Sequence, residues 1–283
     1  MASLTALKSR INVIQNTKKI THAMELVASS KLRKARENFQ SIQSYQNNLE
    51  TIFNELLMHI TPEEYYSVFP KTKGIDSKLY ILITSDLGLC GSYNSNLVNM
   101  LKNKLTDNDK IIIIGSKGYA ALAHGEHKDK IITVYNDYGD TVSYTLGSEI
   151  SRIAEDLYYH KKISQVNIIY TKFISNVVQE PVDLRIFPFE IESKNYINVS
   201  PIEFEPNIHT ILKNSVPLYM ASMIYCLGTS SKISEMASRR TAMENATDNA
   251  QELTHELNLE YNRKRQSLIT QEINEIVSGA DAT

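Results

Sequence analysis

The chain has 283 residues, 42% of them hydrophobic, which is enough for one large domain or two smaller ones with a real core. Lys and Arg number 30 against 32 Asp and Glu, so no polycationic character points to nucleic acid. The two cysteines, Cys90 and Cys226, lie far apart, make neither a metal-binding spacing nor a redox pair, and fit a reducing compartment. No apolar run reaches the ~18 residues of a membrane span, and Met1–Ile11 reads as neither a secretory signal nor a transit peptide. The expectation is a folded protein working where it is synthesised, most simply in a bacterial cytoplasm.

From Leu4 one seven-residue register runs through Leu7, Ile11, Ile14, Lys18, Thr21, Glu25, Ala28, Leu32, Ala35, Phe39, Ile42, Gln46, Leu49, Phe53, Leu56 and Ile60. This predicts a coiled-coil helix over residues 1–60, roughly 85 Å long at 1.5 Å per residue. Where the register turns polar, Ile20, Ala23, Met24 and Val27 carry apolar character onto a neighbouring face, which suits a second partner. Thr61-Pro62 stops the helix, and a loop with Pro70 and Gly74 follows.

The period then changes. Lys78–Thr84, Lys110–Ile114, Ile131–Tyr135, Val166–Phe173 and Val182–Phe189 read as strands; Asn94–Lys104, Ser116–Ala123 and Leu146–His160 read as helices. Such alternation predicts a mainly parallel, helix-covered sheet over residues 75–190.

The last element is a helix over residues 208–278, roughly 105 Å long and without glycine or proline between Ser238 and Ser278. Its seam, Met236, Arg240, Met243, Thr247, Ala250, Thr254, Leu257, Tyr261, Lys264 and Leu268, is half apolar, which suits a close helix partner better than an ordinary core. Residues 1–40 carry a net charge of plus six and residues 232–283 a net of minus three, a match for pairing. The fold class is therefore α/β, with a long antiparallel coiled coil of N- and C-terminal helices and an inserted Rossmann-like α/β domain.

An enzyme needs a site. Ser85–Asn94 follows a strand and precedes a helix, where open sheets bind ligands, but it is neither GxGxxG nor GxxxxGK[ST]; Gly115-Ser-Lys-Gly118 also lacks the spacing to cradle phosphate. Tight packed turns are the better reading. Cys90 reads as a structural thiol, and the seven histidines show no ligand spacing. No catalytic residue, cofactor or metal is expected.

Asn16–Thr21, Ala23–Lys31, Ser85–Gly91, Ala242–Asn249 and Tyr261–Glu272 together make the chain resemble the gamma subunit of F-type ATP synthases. The resemblance implies a central rotor shaft without catalytic residues, standing in a ring of alternating catalytic (beta) and non-catalytic (alpha) subunits. It also implies an epsilon subunit, a membrane rotor ring near the α/β domain, and a peripheral place on the cytoplasmic face of the bacterial membrane. Arg265 and Gln266 match family positions that hydrogen-bond a loop of one catalytic subunit, and Arg239, Thr270 and Glu272 match their neighbours. Met24 matches the position facing an acidic lever loop, with Lys31, Arg33 and Lys34 as charge partners. Departures are Leu87 where the family usually has Arg, Arg240 in place of a usual Met, and Gly228–Ser231 where it has good helix formers, so a bend or softening is expected there. No dithiol insertion of the chloroplast type is present, so redox regulation is not expected. Three alternatives remain: a nucleotide-binding enzyme, a static coiled-coil scaffold, and the shaft of a variant rotary ATPase coupled to another machine.

Overall fold

In a computed structural model that describes residues 3–37, 39–72, 74–139, 141–189, 191 and 203–281, the terminal segments form helices α1 (Leu4–Glu37), α2 (Phe39–Met58) and α7 (Ile208–Asp281). The chain divides into two compact units, Met1–Ser30 with Arg239–Thr283, and Lys31–Ser238.

In the first unit α1 and α7 run antiparallel. Leu7, Ile11 and Leu257 form a buried cluster flanked by Ile14 and Tyr261, Lys18 Nζ donates to Gln251 Oε1 at 2.9 Å, and Thr247 Oγ1 donates to Thr21 Oγ1 at 2.8 Å. The seams are those of the heptad reading: Leu7, Ile11 and Ala28 are buried on α1, and Met243, Thr247, Ala250 and Leu257 on α7. Small residues at these positions let the backbones approach, and the hydroxyl pair keeps polar seam positions satisfied. The seam stops with Lys264, short of Leu268, which sequence spacing places on it and which is exposed. From Arg265 to Val277 every residue is exposed, because the antiparallel register has run past the start of α1.

The second unit holds a five-stranded sheet of order β3-β2-β1-β4-β5, with β1 (Lys78–Ile83), β2 (Lys110–Ile114), β3 (Ile131–Tyr135) and β4 (Gln165–Phe173) parallel and β5 (Gln179–Phe187) antiparallel on the edge. The two-residue period of β1 divides the core. Leu79, Ile81 and Ile83 point to the face covered by α2, α6 (Tyr144–Tyr159) and α7, while Tyr80 and Leu82 point to the face covered by α4 (Tyr93–Lys102) and α5 (Ser116–Leu122). Burial on both faces explains the unbroken apolar runs. The N-terminal helices also pack along α7 in this unit, through Leu32 with Ile233, Met236 and Ala237, and through Phe53 on Tyr219 at 4.4 Å between ring centroids.

The loop expected after Thr61 contains a helix, α3 (Pro62–Val68). Thr61 and Glu64 form a reciprocal capping box and Pro62 takes the first turn, so the residues that end α2 start the next helix. The bend or softening expected at Gly228–Ser231 is not seen as a break: α7 is continuous through it.

Candidate functional site

In an open α/β sheet the ligand position lies beyond the carboxyl ends of the strands, where the strand order reverses. Here the chain runs outward from β1 through β2 to β3 and returns to β4, so the reversal falls between β1 and β4. That crevice is filled by the chain's own α7. Ser231 Oγ accepts from the Thr171 amide at 3.1 Å and lies 2.8 Å from the Tyr93 hydroxyl, which also donates to the Ser231 carbonyl at 3.1 Å. The adjacent Ser230 Oγ accepts from the Phe173 amide, and Ser234 Oγ, about one turn on, donates to the Thr171 carbonyl. Strand β4 outruns β1, whose paired register ends at Ile169, and the backbone groups left over bond to serine hydroxyls instead of a neighbouring strand.

The two turns weighed as phosphate cradles are likewise occupied. Asp86 Oδ1 accepts from the Ser116 amide at 2.9 Å and Thr84 Oγ1 accepts from the Gly118 amide at 3.0 Å, so a carboxylate and a hydroxyl already cap the start of α5. Gly115, at φ +103°, is forced by packing: a Cβ there would lie 2.3 Å from the Thr84 carbonyl oxygen. Ser85 and Asn94 close the first turn on themselves, with Ser85 N–H donating to Asn94 Oδ1 and Asn94 Nδ2 to Ser85 Oγ. Cys90 is buried and within reach of the same Asn94 amide. Burial, reinforced by Glu50, pushes the Cys226 thiol up to about 12, far from thiolate chemistry. Among the described residues no group of three or more His, Cys, Asp and Glu could hold a metal.

The other surface of interest is the outside of the helices. On α1, Val13, Ile20, Leu26 and Val27 are each more than half exposed; on α7, Leu253, Leu259, Ile269, Ile273, Ile276 and Val277 are exposed. Of these, sequence reading singled out Ile20 and Val27 and passed over the rest, although the spacing of Ile269, Ile273 and Ile276 marks a helix face. Met24 is half-buried on α1, Lys31, Arg33 and Lys34 are exposed near its end, and Arg239 is buried, 6% exposed. Arg265, Gln266, Thr270 and Glu272 all lie on the bare end of α7, within about 10 Å along its axis. Thr270 Oγ1 donates back to the Gln266 carbonyl, leaving the side chains of Arg265 and Gln266 presented to solvent. Arg240 bonds Glu244 one turn on at 3.4 Å, and Leu87 is 72% exposed.

A chain whose sheet crevice is filled from within, and whose paired terminal helices turn apolar side chains outward, belongs to the class of non-catalytic coiled-coil subunits that act through contacts with other subunits. A family model described as ATP synthase matches residues 3–283. The ATP synthase gamma chain of Mycoplasmopsis synoviae (strain 53) is 46% identical over 288 residues, covering 100% of both chains. That of Clostridium pasteurianum is 41% identical over 284 residues, covering 99% of each. Among solved structures, a chain of the Tetrahymena thermophila mitochondrial ATP synthase central stalk and c-ring shares 26% identity at TM-score 0.60, covering 80% of this chain and 99% of that one. A chain of the Euglena gracilis mitochondrial ATP synthase shares the fold at TM-score 0.73 and 18% identity, covering 99% of this chain and 94% of that one. The chain belongs to the ATP synthase gamma-chain family.

Proposed function

We propose that this chain is the central rotor shaft of an F-type ATP synthase, coupling proton flow to ATP synthesis or hydrolysis on the alpha and beta subunits that surround it. The observation that carries the reading is the apolar outer surface of the α1–α7 pair: Val13, Ile20, Leu26 and Val27 face away from a seam that is already filled. Apolar side chains clustered on a helix pair are stable in water when other subunits enclose them. The shaft itself makes and breaks no bonds of ATP. Its angle acts through differential contacts, each catalytic subunit meeting a different side of an asymmetric surface and settling into a different state.

Within this reading Arg265, Gln266, Thr270 and Glu272 form the upper contact with the catalytic ring, and Met24, Lys31, Arg33 and Lys34 the lower one; Arg239, buried and roughly 39 Å back along α7, lies outside the upper contact. Arg suits such a task because its fork of donors grips carboxylates and amides and releases them as geometry changes. The division of labour follows residues 1–60 and 208–278 as shaft and 75–190 as the part that meets the membrane rotor ring and the epsilon subunit. The subunit is peripheral, on the cytoplasmic face of the bacterial membrane; among the described residues no helix is long and apolar enough to cross it.

The test is isolation of the complex from native membranes through a tag on this chain. Alpha, beta, epsilon and the ring subunit are expected to co-purify, and ATP is expected to drive proton uptake into inverted vesicles. Recovery of the chain with none of these subunits, or full coupled turnover in vesicles whose complex lacks it, would overturn the proposal.

A further inference from the structure

In the unit Lys31–Ser238 the turn between β4 and β5 reaches out of the sheet to both terminal helices. Gln179 organises it: its Nε2 donates to the Ser175 and Asn176 carbonyls at 3.0 and 2.9 Å, and its Oε1 accepts from Ser238 Oγ on α7 at 3.1 Å. Ser175 Oγ closes the turn by accepting from the Val178 amide at 3.0 Å. Asn176 Oδ1, placed by that turn, accepts from Arg36 Nη1 on α1 at 3.3 Å, and the Arg36 guanidinium stands 5.8 Å from the ring centroid of Phe173, the last residue of β4. Phe173 in turn meets Phe39, the first residue of α2, edge-on with centroids 5.7 Å apart.

The end of α1 is held on α7 along one stripe, by Leu32 packed with Ile233, Met236 and Ala237, and by Ala35 beside it. A helix held along one stripe resists separation better than it resists rolling about its own axis. Arg36 lies off that stripe, about 100° round the axis from Ala35. A tie at Arg36 therefore opposes the roll. Lys31, Arg33 and Lys34 are exposed on the same two turns of helix. A roll of about 20° moves a side chain at the ~5–6 Å outer radius of a helix by about 2 Å, enough to break a hydrogen bond. We infer that Asn176 and Gln179 are positioning residues for the lower contact: they fix the roll of the α1 end against α7, and so the direction in which Lys31, Arg33 and Lys34 meet the catalytic subunits. This rests on the reading of the chain as a shaft whose lower contact lies there. A turn as exposed as this one contributes little to folding stability, so its tie can be removed without losing the fold.

Cys90 and Cys226 are buried, so nitroxides on Arg33→Cys and Lys102→Cys, both exposed positions, mark two points of this unit in the full chain. Pulsed electron resonance reads the distance between them. A single narrow distance is expected with the turn intact, and Asn176→Ala or Gln179→Ala is expected to broaden or shift it by about 2 Å or more, the displacement a roll of that size produces. Asn176→Asp keeps the acceptor for Arg36 and is expected to keep the narrow distance. In the complex isolated from native membranes, without nitroxides, each Ala variant is expected to lower ATP hydrolysis by about fivefold, as for one ordinary hydrogen bond lost. Asn176→Asp is expected to stay near the unsubstituted rate, with helical signal and subunit composition unchanged in all three. An unchanged distance in the Ala variants, or one in Asn176→Asp as broad as theirs, would overturn the positioning role and leave the shaft reading untouched. A broadened distance with normal hydrolysis would overturn it as well, since a roll that costs no turnover positions nothing. Failure of alpha and beta to co-purify with the unsubstituted chain is the separate mark of failure of the shaft reading.

Discussion

The Tyr93 hydroxyl lies 2.8 Å from Ser231 Oγ, in the crevice where a sheet of this topology would otherwise hold a ligand. Ser231 at the same time accepts the amide of Thr171, which lies past the end of the pairing with β1. Serine is an indifferent helix former, so its place in α7 reflects what its hydroxyl does. Ser231→Ala leaves the Thr171 N–H buried without an acceptor, and the expected loss is about 1–3 kcal/mol. Tyr93→Phe removes one hydroxyl but leaves that amide satisfied, and its expected cost is about 0.5–1.5 kcal/mol. Urea unfolding of the two variants checks the order; equal losses would mean that the amide is satisfied in some other way.

Burial sets the alkaline limit of the second unit. Of the sixteen tyrosines, Tyr93 is held well above its ordinary value of 10 chiefly by burial, with Glu235 adding to it; Tyr65, Tyr158 and Tyr170 are raised for the same first reason, and Tyr219 is pushed up to about 12. The folded state keeps these phenols protonated, so their contribution to stability is complete below pH 10. As pH rises past 10 the unfolded chain ionises first, and the contribution is lost progressively towards and beyond pH 12. Absorbance at the phenolate band is expected to rise in two stages, the second coinciding with loss of helical signal. A single stage near pH 10 with the fold intact would contradict this burial.

Gly228 sets helix propensity against packing. In an exposed helix, Gly→Ala stabilises by about 1 kcal/mol. Here the new Cβ would lie 2.6 Å from the Cβ and a methyl of Val142, both side-chain atoms close to the backbone with little freedom to move. Overpacking costs about 1–3 kcal/mol, so Gly228→Ala is expected to destabilise. Adding Val142→Ala removes the clashing methyl but keeps the equally close Cβ, so it should recover only part of the loss, and a thermal melt of the single and double variants reads the sign.

The heptad of α1 and the seam of α7 were legible in sequence because burial follows a fixed period along each helix: every seam position from Leu7 to Ile60 is buried or half-buried. The strands were legible for the same reason, their apolar runs being short and bounded. Helix α3 was hidden behind Pro62, although Thr61 and Glu64 carried the capping signal. The filling of the crevice was not legible at all. It joins Tyr93 to Ser231 and Thr171 to Ser231 across long stretches of chain, and no local pattern reports a contact of that kind. The sequence signal available, an unusual cluster of serines in a helix, suggests weakness when read by propensity and attachment once the sheet is in view.

Arg265 and Gln266 give the most direct check on the proposed shaft. Both are exposed on the part of α7 that extends past the paired seam, and neither holds the fold together. Replacing both by Ala should leave thermal stability of the isolated chain within about 0.5 kcal/mol, as for surface changes generally. If the proposed upper contact holds, the same change in the assembled complex removes hydrogen bonds to a partner, and losing one that involves a charged group, at about 1.5–3 kcal/mol, corresponds to about tenfold or more. ATP hydrolysis and ATP-driven proton uptake are therefore expected to fall together by about that factor, with the subunit composition unchanged. A static scaffold predicts the opposite outcome, normal turnover in a complex of normal composition, and that result would remove these two residues from the working contact.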